Sequence, residues 1–327
     1  MNIPPKVIVV AGPTASGKTR LAIELAGLYM GEIVSADSMQ VYRGMDIGTA
    51  KADAQEQALA VHHMLDVAEP REAYSVARYV EQARQCCDDI LARGKVPIIA
   101  GGTGLYIDSL ISGRDFADDD EDSGLRQALG DEYDALGGEE MLKLLSSFDP
   151  ERAQKLHPGD KRRIVRAIEV YRLTGLTISE HDRRTQALPP RYDAARIILN
   201  YADRAELYRN IDLRVDKMAS LGLFEEVQAL LDAGLNPDCT AMQAIGYKEP
   251  AMALQGSISR EEAIELIKLN SRRYAKRQLT WFGRWEDALR INWQAHRDFT
   301  LALRLSTDFL SHRGYHNVMY PQGKNTL

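Results

Sequence analysis

The sequence predicts an α/β fold, a parallel sheet core interrupted by an all-helical insertion. Three observations predict it. Short β-branched runs alternate with helical patterns through the N-terminal part, and a glycine-rich loop joins the first run to the first helix. The alternation then gives way to roughly 70 residues of helical pattern, the size of a small domain, before a strand returns.

Residues 6–11 form a β-branched run, read as a buried strand. Residues 19–29 place Leu21, Ala22, Leu25, Ala26 and Leu28 at helical spacing, with Gly31 as a stop signal. A second strand is expected at 32–36, a helix at 75–93 ended by Gly94, a third strand at 96–100 and a short helix at 105–111. Strands separated by helices imply parallel pairing through right-handed crossovers. The pattern then breaks. Residues 115–122 hold six carboxylates in eight positions, read as a solvated surface connection. From 124 to 181 the chain reads as short helices, with Asp149-Pro150 and residues 157–160 as boundaries. Leu188-Pro-Pro-Arg191 reads as a return linker, 196–199 as a strand, and 203–221 and 223–233 as helices. The expected division is a core at 1–114 and 192–311, an insertion at 115–191, and a polar, disordered tail at 312–327.

Composition narrows the class. With 327 residues, 45% of them hydrophobic, the chain can bury a sizeable core. No apolar run approaches the roughly 20 residues that span a bilayer, and residues 1–6 lack a secretory pattern. A cytoplasmic protein with no membrane attachment is expected. Cys86 and Cys87 are adjacent and Cys239 stands alone, giving neither zinc-ligand spacing nor a disulfide framework. His62 and His63 lack the i, i+4 spacing of paired ligands and read as structural. The net charge of −6 argues against wholesale nucleic-acid binding but permits a local basic patch.

The loop after the first strand carries chemistry. Gly12, Pro13, Thr14, Ala15, Ser16, Gly17, Lys18 and Thr19 fit G-x-x-x-x-G-K-[ST], after a strand and before a helix. Its glycines let successive N–H groups turn toward phosphate oxygens, and the helix N-terminus adds partial positive charge. Lys18 would bridge phosphates, and Thr19 would ligate Mg²⁺ through its hydroxyl. The core is therefore P-loop NTPase-like. The motif specifies a diphosphate-type group; it does not specify a nucleotide.

Asp37 closes the second strand, where ligands of open α/β sheets bind. It reads either as a carboxylate facing the loop or as a turn or capping aspartate. Gly101-Gly-Thr-Gly104 closes the third strand, and Thr103 could donate to a phosphate oxygen. No aspartate of the magnesium-holding ATPase kind follows that strand, which counts against a motor ATPase. Two basic clusters stand out: Lys161, Arg162, Arg163 and Arg166, and then Arg272, Arg273, Lys276, Arg277 and Arg284 interleaved with Tyr274, Trp281, Phe282 and Trp285. Cations for phosphates and rings for unpaired bases suit RNA. The competing reading is a solvated cationic face with the aromatics in the core. A small-molecule kinase, with Asp37 as base and the insertion arginines as a lid, fits the same residues, as does a P-loop RNA-binding module without catalysis.

The segments GPTASGKT (12–19), SADSMQVYRGMDIGTAK (35–51), HHMLD (62–66), YSVA (74–77), GGTGLYI (101–107), HPGDKRRIVRAIEVY (157–171), RVDKM (214–218), QAIGYKE (243–249) and KRQLTWF (276–282) closely resemble the bacterial tRNA dimethylallyltransferases, in the family's order, over about residues 6–293. The resemblance implies transfer of a dimethylallyl group from dimethylallyl diphosphate to N6 of the adenine next to the anticodon, in tRNAs reading codons that start with U. It implies Mg²⁺ as cofactor and a monomer that takes the anticodon stem-loop as partner. The loop residues, from Gly12 to Thr19, become the donor cradle. Asp37 matches the catalytic carboxylate, and Thr103 and Arg214 match positions near the leaving diphosphate. Asp37, Ser38, Met39, Gln40 and Thr103 match tRNA contacts, as do Arg126, Arg162, Arg163, Ile164, Val165 and Arg166 on the insertion. On the core, Ala244, Ile245, Gly246, Tyr247, Lys248 and Glu249 match further contacts. So do Lys276, Arg277, Gln278, Leu279, Thr280, Trp281, Phe282 and Gly283. Two positions depart: Asn210 stands where arginine is frequent, and Gly283 where a basic residue is common, with Arg284 beside it.

Overall fold

The computed structural model describes residues 4–113, 124–187, 189–294 and 296–316. Six parallel strands form one sheet in the order β3-β2-β4-β1-β5-β6. They are β1 (Lys6–Ala11), β2 (Gly31–Ser35), β3 (His62–His63), β4 (Val96–Gly101), β5 (Asp193–Tyr201) and β6 (Leu289–Trp293). In β1, Val7 to Ala11 are wholly buried, as a central strand covered on both faces requires. The chain steps outward from β1 to β2 and β3, returns to β4 beside β1, then crosses to β5 on the other side. That reversal next to β1 opens a crevice at the carboxyl ends of the strands.

The sheet core and the insertion are separate compact units, 1–111 with 192–327, and 112–191. In the first unit, α1 (Lys18–Tyr29) buries Leu21, Ala22, Leu25 and Ala26 against the sheet. A second cluster gathers Val41, Tyr42 and Met45 with α10 (Arg204–Ser220), α11 (Leu223–Asp232) and α12 (Lys248–Leu254). The long α13 (Arg260–Phe282) starts at a capping box, in which Ser259 and Glu262 satisfy each other's backbone N–H groups.

The insertion packs Leu129, Met141, Leu145, Ile164 and Ile168 from α5 (Leu125–Leu136), α6 (Gly138–Ser146) and α8 (Lys161–Thr174) into its own core. Phe148 and Tyr171 stack beside it at 4.0 Å. Glu169 is buried and balanced by Arg126 at 3.0 Å and Arg166 at 2.8 Å.

Several expectations are corrected. The strand expected third is fourth in sequence, because β3 is only two residues long and carries no readable periodicity. β6 and α14 (Phe299–His312) also went unread. The tail is not loose from residue 312: Tyr315 is buried and its hydroxyl donates to Val7 and Asp193 carbonyls at 2.8 and 3.1 Å. One aromatic after a polar run was too small a signal to read. Residues 317–327 and the acidic run at 115–122 lie outside the described residues. His63 is 2.7 Å from the buried Glu32 and His62 is 2.8 Å from the Ala60 carbonyl, so both have structural partners. The cysteines are free thiols, and no described helix is long and apolar enough to cross a membrane.

Candidate active site

Three adjacent strand ends build the site. The loop after β1, Asp37 after β2 and Gly101 at the end of β4 line one cleft of about 1060 Å³; Gly102 and Thr103, next in the turn, do not line it. Gly17, at φ 87°, bends the loop into α1, a conformation a side chain would strain. At Gly101 the ends of β4 and β2 close in, and a Cβ there would fall 2.1 Å from the Ala36 carbonyl oxygen. That closeness lets the Thr103 N–H donate to Ala36 at 3.1 Å and the Thr103 hydroxyl accept from the Ser38 N–H at 3.1 Å. Asp37 Oδ1 accepts from the Met39 N–H at 2.9 Å, the turn bond expected of an aspartate there. Gln40 reaches the Thr49 and Ala50 carbonyls, both at 3.3 Å.

The loop itself is braced from behind. Two of its carbonyls accept hydrogen bonds from aromatic side chains of β5 and β6. Trp293 Nε1 donates to the Ser16 carbonyl at 2.8 Å and the Tyr201 hydroxyl to the Ala15 carbonyl at 2.9 Å. Ser16 lines the cleft, and its Oγ is buried and has no partner among the described residues. Such a hydroxyl is costly unless a ligand completes it.

Charge is concentrated here. Lys18 Nζ donates to the Pro13 carbonyl at 2.8 Å. Burial, aided by the Arg214 and Arg297 guanidiniums and opposed by the Asp37 carboxylate, holds the Lys18 ammonium down at about 7. Burial also lowers the Arg214 pKa, against the Asp37 carboxylate. Arg214 donates to the Thr49 carbonyl at 3.3 Å. Burial first, and then Asp37, raise the Tyr274 hydroxyl to about 12. A multivalent anion entering the cleft would stabilise the protonated lysine. Protonated Lys18 predominates below about 7, so its contribution to anion affinity is full there and weakens as pH rises through 7. Calorimetry of inorganic diphosphate near pH 7.5, in buffers of different ionisation heat, should register proton uptake, and Lys18→Met should abolish that share.

α13 presents different faces. Gln278 accepts from the Thr14 N–H at 2.9 Å and donates to the Gly102 carbonyl at 3.0 Å, tying the loop to the turn after β4. Trp281 and, beyond the helix, Trp285 both donate to Asp108, at 2.7 and 2.9 Å. Arg273, Lys276, Thr280, Gly283 and Arg284 are exposed, and so is Arg277, which also lines the cleft. Phe282 and Trp285 are buried and Trp281 is pinned by Asp108, while Arg284 lies over the Trp281 ring and Arg277 over the Tyr274 ring, both at 5.4 Å.

Other sequence-derived contacts also turn inward. Ile164 and Val165 are buried in the insertion core. Tyr247 is buried and donates to Glu226 at 2.6 Å. Glu249 is buried, accepting from Gly246 N–H at 2.9 Å and Asn270 at 2.8 Å. Leu279 packs on the sheet core. The side chains of Ile164, Val165, Tyr247, Glu249, Leu279 and Phe282 thus hold the fold rather than face an outside partner, while Gln278 braces the loop and also lines the cleft. Ala244 and Ile245 line the cleft, and Lys248 is exposed. In the insertion, Arg162 and Arg163 are exposed, whereas Arg126 and Arg166 hold Glu169. Sequence reasoning missed Arg297 and Phe299, which line the cleft from the connection before α14 and from its first residue. It missed Glu226 too, which accepts from the Asp46, Ile47 and Gly48 N–H groups at 3.0, 2.8 and 3.1 Å. Nothing near these residues forms a motif.

The sheet, its switch point and the loop after β1 define a P-loop NTPase-like α/β protein. The profile of the IPP transferase family matches residues 40–285. The chain belongs to that family. It is 50% identical over 277 residues to a tRNA dimethylallyltransferase of Geobacillus thermodenitrificans, covering 85% of this chain and 87% of the other. It is 48% identical over 278 residues to one of Thermoanaerobacter sp., covering 85% and 88%. Its structure is similar to that of the tRNA isopentenylpyrophosphate transferase of Bacillus halodurans, at TM-score 0.69 and 38% identity, over 94% of this chain and 97% of that one. It is also similar to a eukaryotic dimethylallyltransferase acting on tRNA, at TM-score 0.78 and 29% identity, over 95% and 81%.

Proposed function

We propose that this chain transfers a dimethylallyl group from dimethylallyl diphosphate to N6 of the adenine next to the anticodon, in tRNAs reading codons that start with U. The observation that carries the reading is one cleft that joins a phosphate loop, with Lys18 and Arg214, to Asp37 at the neighbouring strand end. The names of its relatives support the same chemistry. N6 of adenine is a weak nucleophile because its lone pair is delocalised into the ring. Asp37 accepts its proton as it attacks the primary allylic carbon, and the carbon–oxygen bond to the diphosphate breaks. Lys18, Arg214 and the loop N–H groups stabilise the charge that builds on the leaving diphosphate, and Thr103 holds the Asp37 turn through the Ser38 N–H. The adenine must first leave its stack, at a cost on the order of a few kcal/mol.

Mg²⁺ fits the residues present. Among the described residues no cluster of three His, Cys, Asp or Glu could cage a metal. Magnesium bound with phosphates needs only one or two protein oxygens, and the Thr19 hydroxyl lines the same cleft. Bound there, it would neutralise charge on the diphosphate. The exposed arginines of the insertion and the outer face of α13 are read as grips on the anticodon stem-loop. We take the protein to be cytoplasmic and monomeric.

Incubation with labelled dimethylallyl diphosphate, bulk tRNA and Mg²⁺ tests the reading: label is expected in RNA. With ATP in place of the prenyl donor, no tRNA-stimulated hydrolysis is expected. ATP hydrolysis stimulated by tRNA, without prenyl transfer, would favour the kinase or ATPase reading instead.

A further inference from the structure

We propose that Arg297 is a binding residue for the diphosphate of the donor, delivered to the phosphate loop from the connection between β6 and α14. The proposal rests on the diphosphate reading above and deepens it. A guanidinium carries five N–H donors. Arg297 Nε donates to the Tyr201 hydroxyl at 2.5 Å, and Nη2 donates to the Ala15 carbonyl at 2.6 Å and to Asn210 Oδ1 at 2.9 Å. These acceptors sit on β5, on the phosphate loop and on α10, so three elements fix the plane of the guanidinium. Nη1 has no hydrogen-bond partner among the described residues, and Arg297 lines the cleft beside Lys18, Asn210 and Phe299.

The chemistry of its partners is the telling part. All three are neutral, and no carboxylate pairs with Arg297 among the described residues. Its positive charge therefore stands beside those of Lys18 and Arg214, and it disfavours the charged form of both. Gathering three cations around one partly buried cleft is costly; Asp37 opposes the charges on Lys18 and Arg214, and Glu56 adds to it at Arg214. A bound group with more than one negative charge removes that cost. Bracing alone does not explain a cation here, since Tyr201 and Trp293 already satisfy the carbonyls of Ala15 and Ser16.

The test is the affinity for inorganic diphosphate with Mg²⁺, measured by calorimetry on the full chain, alongside KM for each substrate. Arg297→Met is expected to weaken diphosphate binding about ten- to a hundredfold, as loss of a charged hydrogen bond does. It should raise KM for dimethylallyl diphosphate and leave KM for tRNA within about twofold. Arg297→Lys should recover part of the affinity. Asn210→Asp is the independent check, because it strengthens the anchoring bond while neutralising the charge. It is expected to weaken diphosphate several-fold in the wild-type background and less in the Arg297→Met background, whereas a bracing role predicts the same loss in both, from direct repulsion alone. Equal loss in the Met and Lys variants, unchanged affinity in Arg297→Met, or the same Asn210→Asp loss in both backgrounds overturns the proposal. A wild-type chain that fails to bind diphosphate removes the donor reading itself, and this proposal with it.

Discussion

Asp37→Ala is expected to reduce transfer at saturating substrates by about 10²–10⁴-fold, the usual worth of a general base, with tRNA affinity kept within several-fold. Alanine also removes the bond to the Met39 N–H, so the loss would mix chemistry with a loosened turn. Asp37→Asn separates the two. Its side-chain oxygen can keep accepting from Met39 N–H at the observed 2.9 Å, yet it cannot take a proton. Both variants should lose kcat to a similar extent in single-turnover assays. If the asparagine variant turns over near the normal rate, Asp37 is a turn residue and the base lies elsewhere.

Replacing Arg162 and Arg163 together by alanine is expected to weaken tRNA binding and leave diphosphate affinity unchanged. These two arginines are exposed on α8, and Arg163 reaches Asp160 only at 3.9 Å. An exposed pair at that distance holds little energy, so both are available to phosphates. The slope of log affinity against log salt should fall by up to about 0.7–0.9 for each RNA phosphate that is no longer neutralised. Arg166 is a poorer probe, because its loss leaves the buried Glu169 with one partner fewer and lowers stability. A lid over the donor predicts the reverse pattern, in which diphosphate affinity drops and the salt slope for tRNA is unchanged.

The strand–loop–helix around Lys18 was legible in the sequence because three constraints coincide there: a buried strand, glycines at fixed spacing and an amphipathic helix. The place of Asp37 was legible for a related reason, since it closes a strand whose carboxyl end must face the crevice; Thr103 closes another but does not line the cleft. Arg297 was not. It is close to Ala15 only because β6 lies against β5 and returns the chain to the loop, a pairing with no local signature. Tyr247 and Phe282 were misjudged in the opposite sense, since a motif preserves the residues that hold a surface as well as those that form it. The ring-and-cation pattern at 272–285 suggested base stacking, but Phe282 and Trp285 are buried, and Tyr274 and Trp281 lie under the chain's own Arg277 and Arg284.

The central claim is that this cleft prenylates one particular adenine, and the position of the label tests it most directly. After reaction with labelled dimethylallyl diphosphate, the tRNA is digested to nucleosides and resolved by mass spectrometry. N6-(dimethylallyl)adenosine is predicted as the sole labelled nucleoside, and the label should vanish when guanine replaces the adenine beside the anticodon. Label on another nucleoside, or label that survives that replacement, would contradict the account.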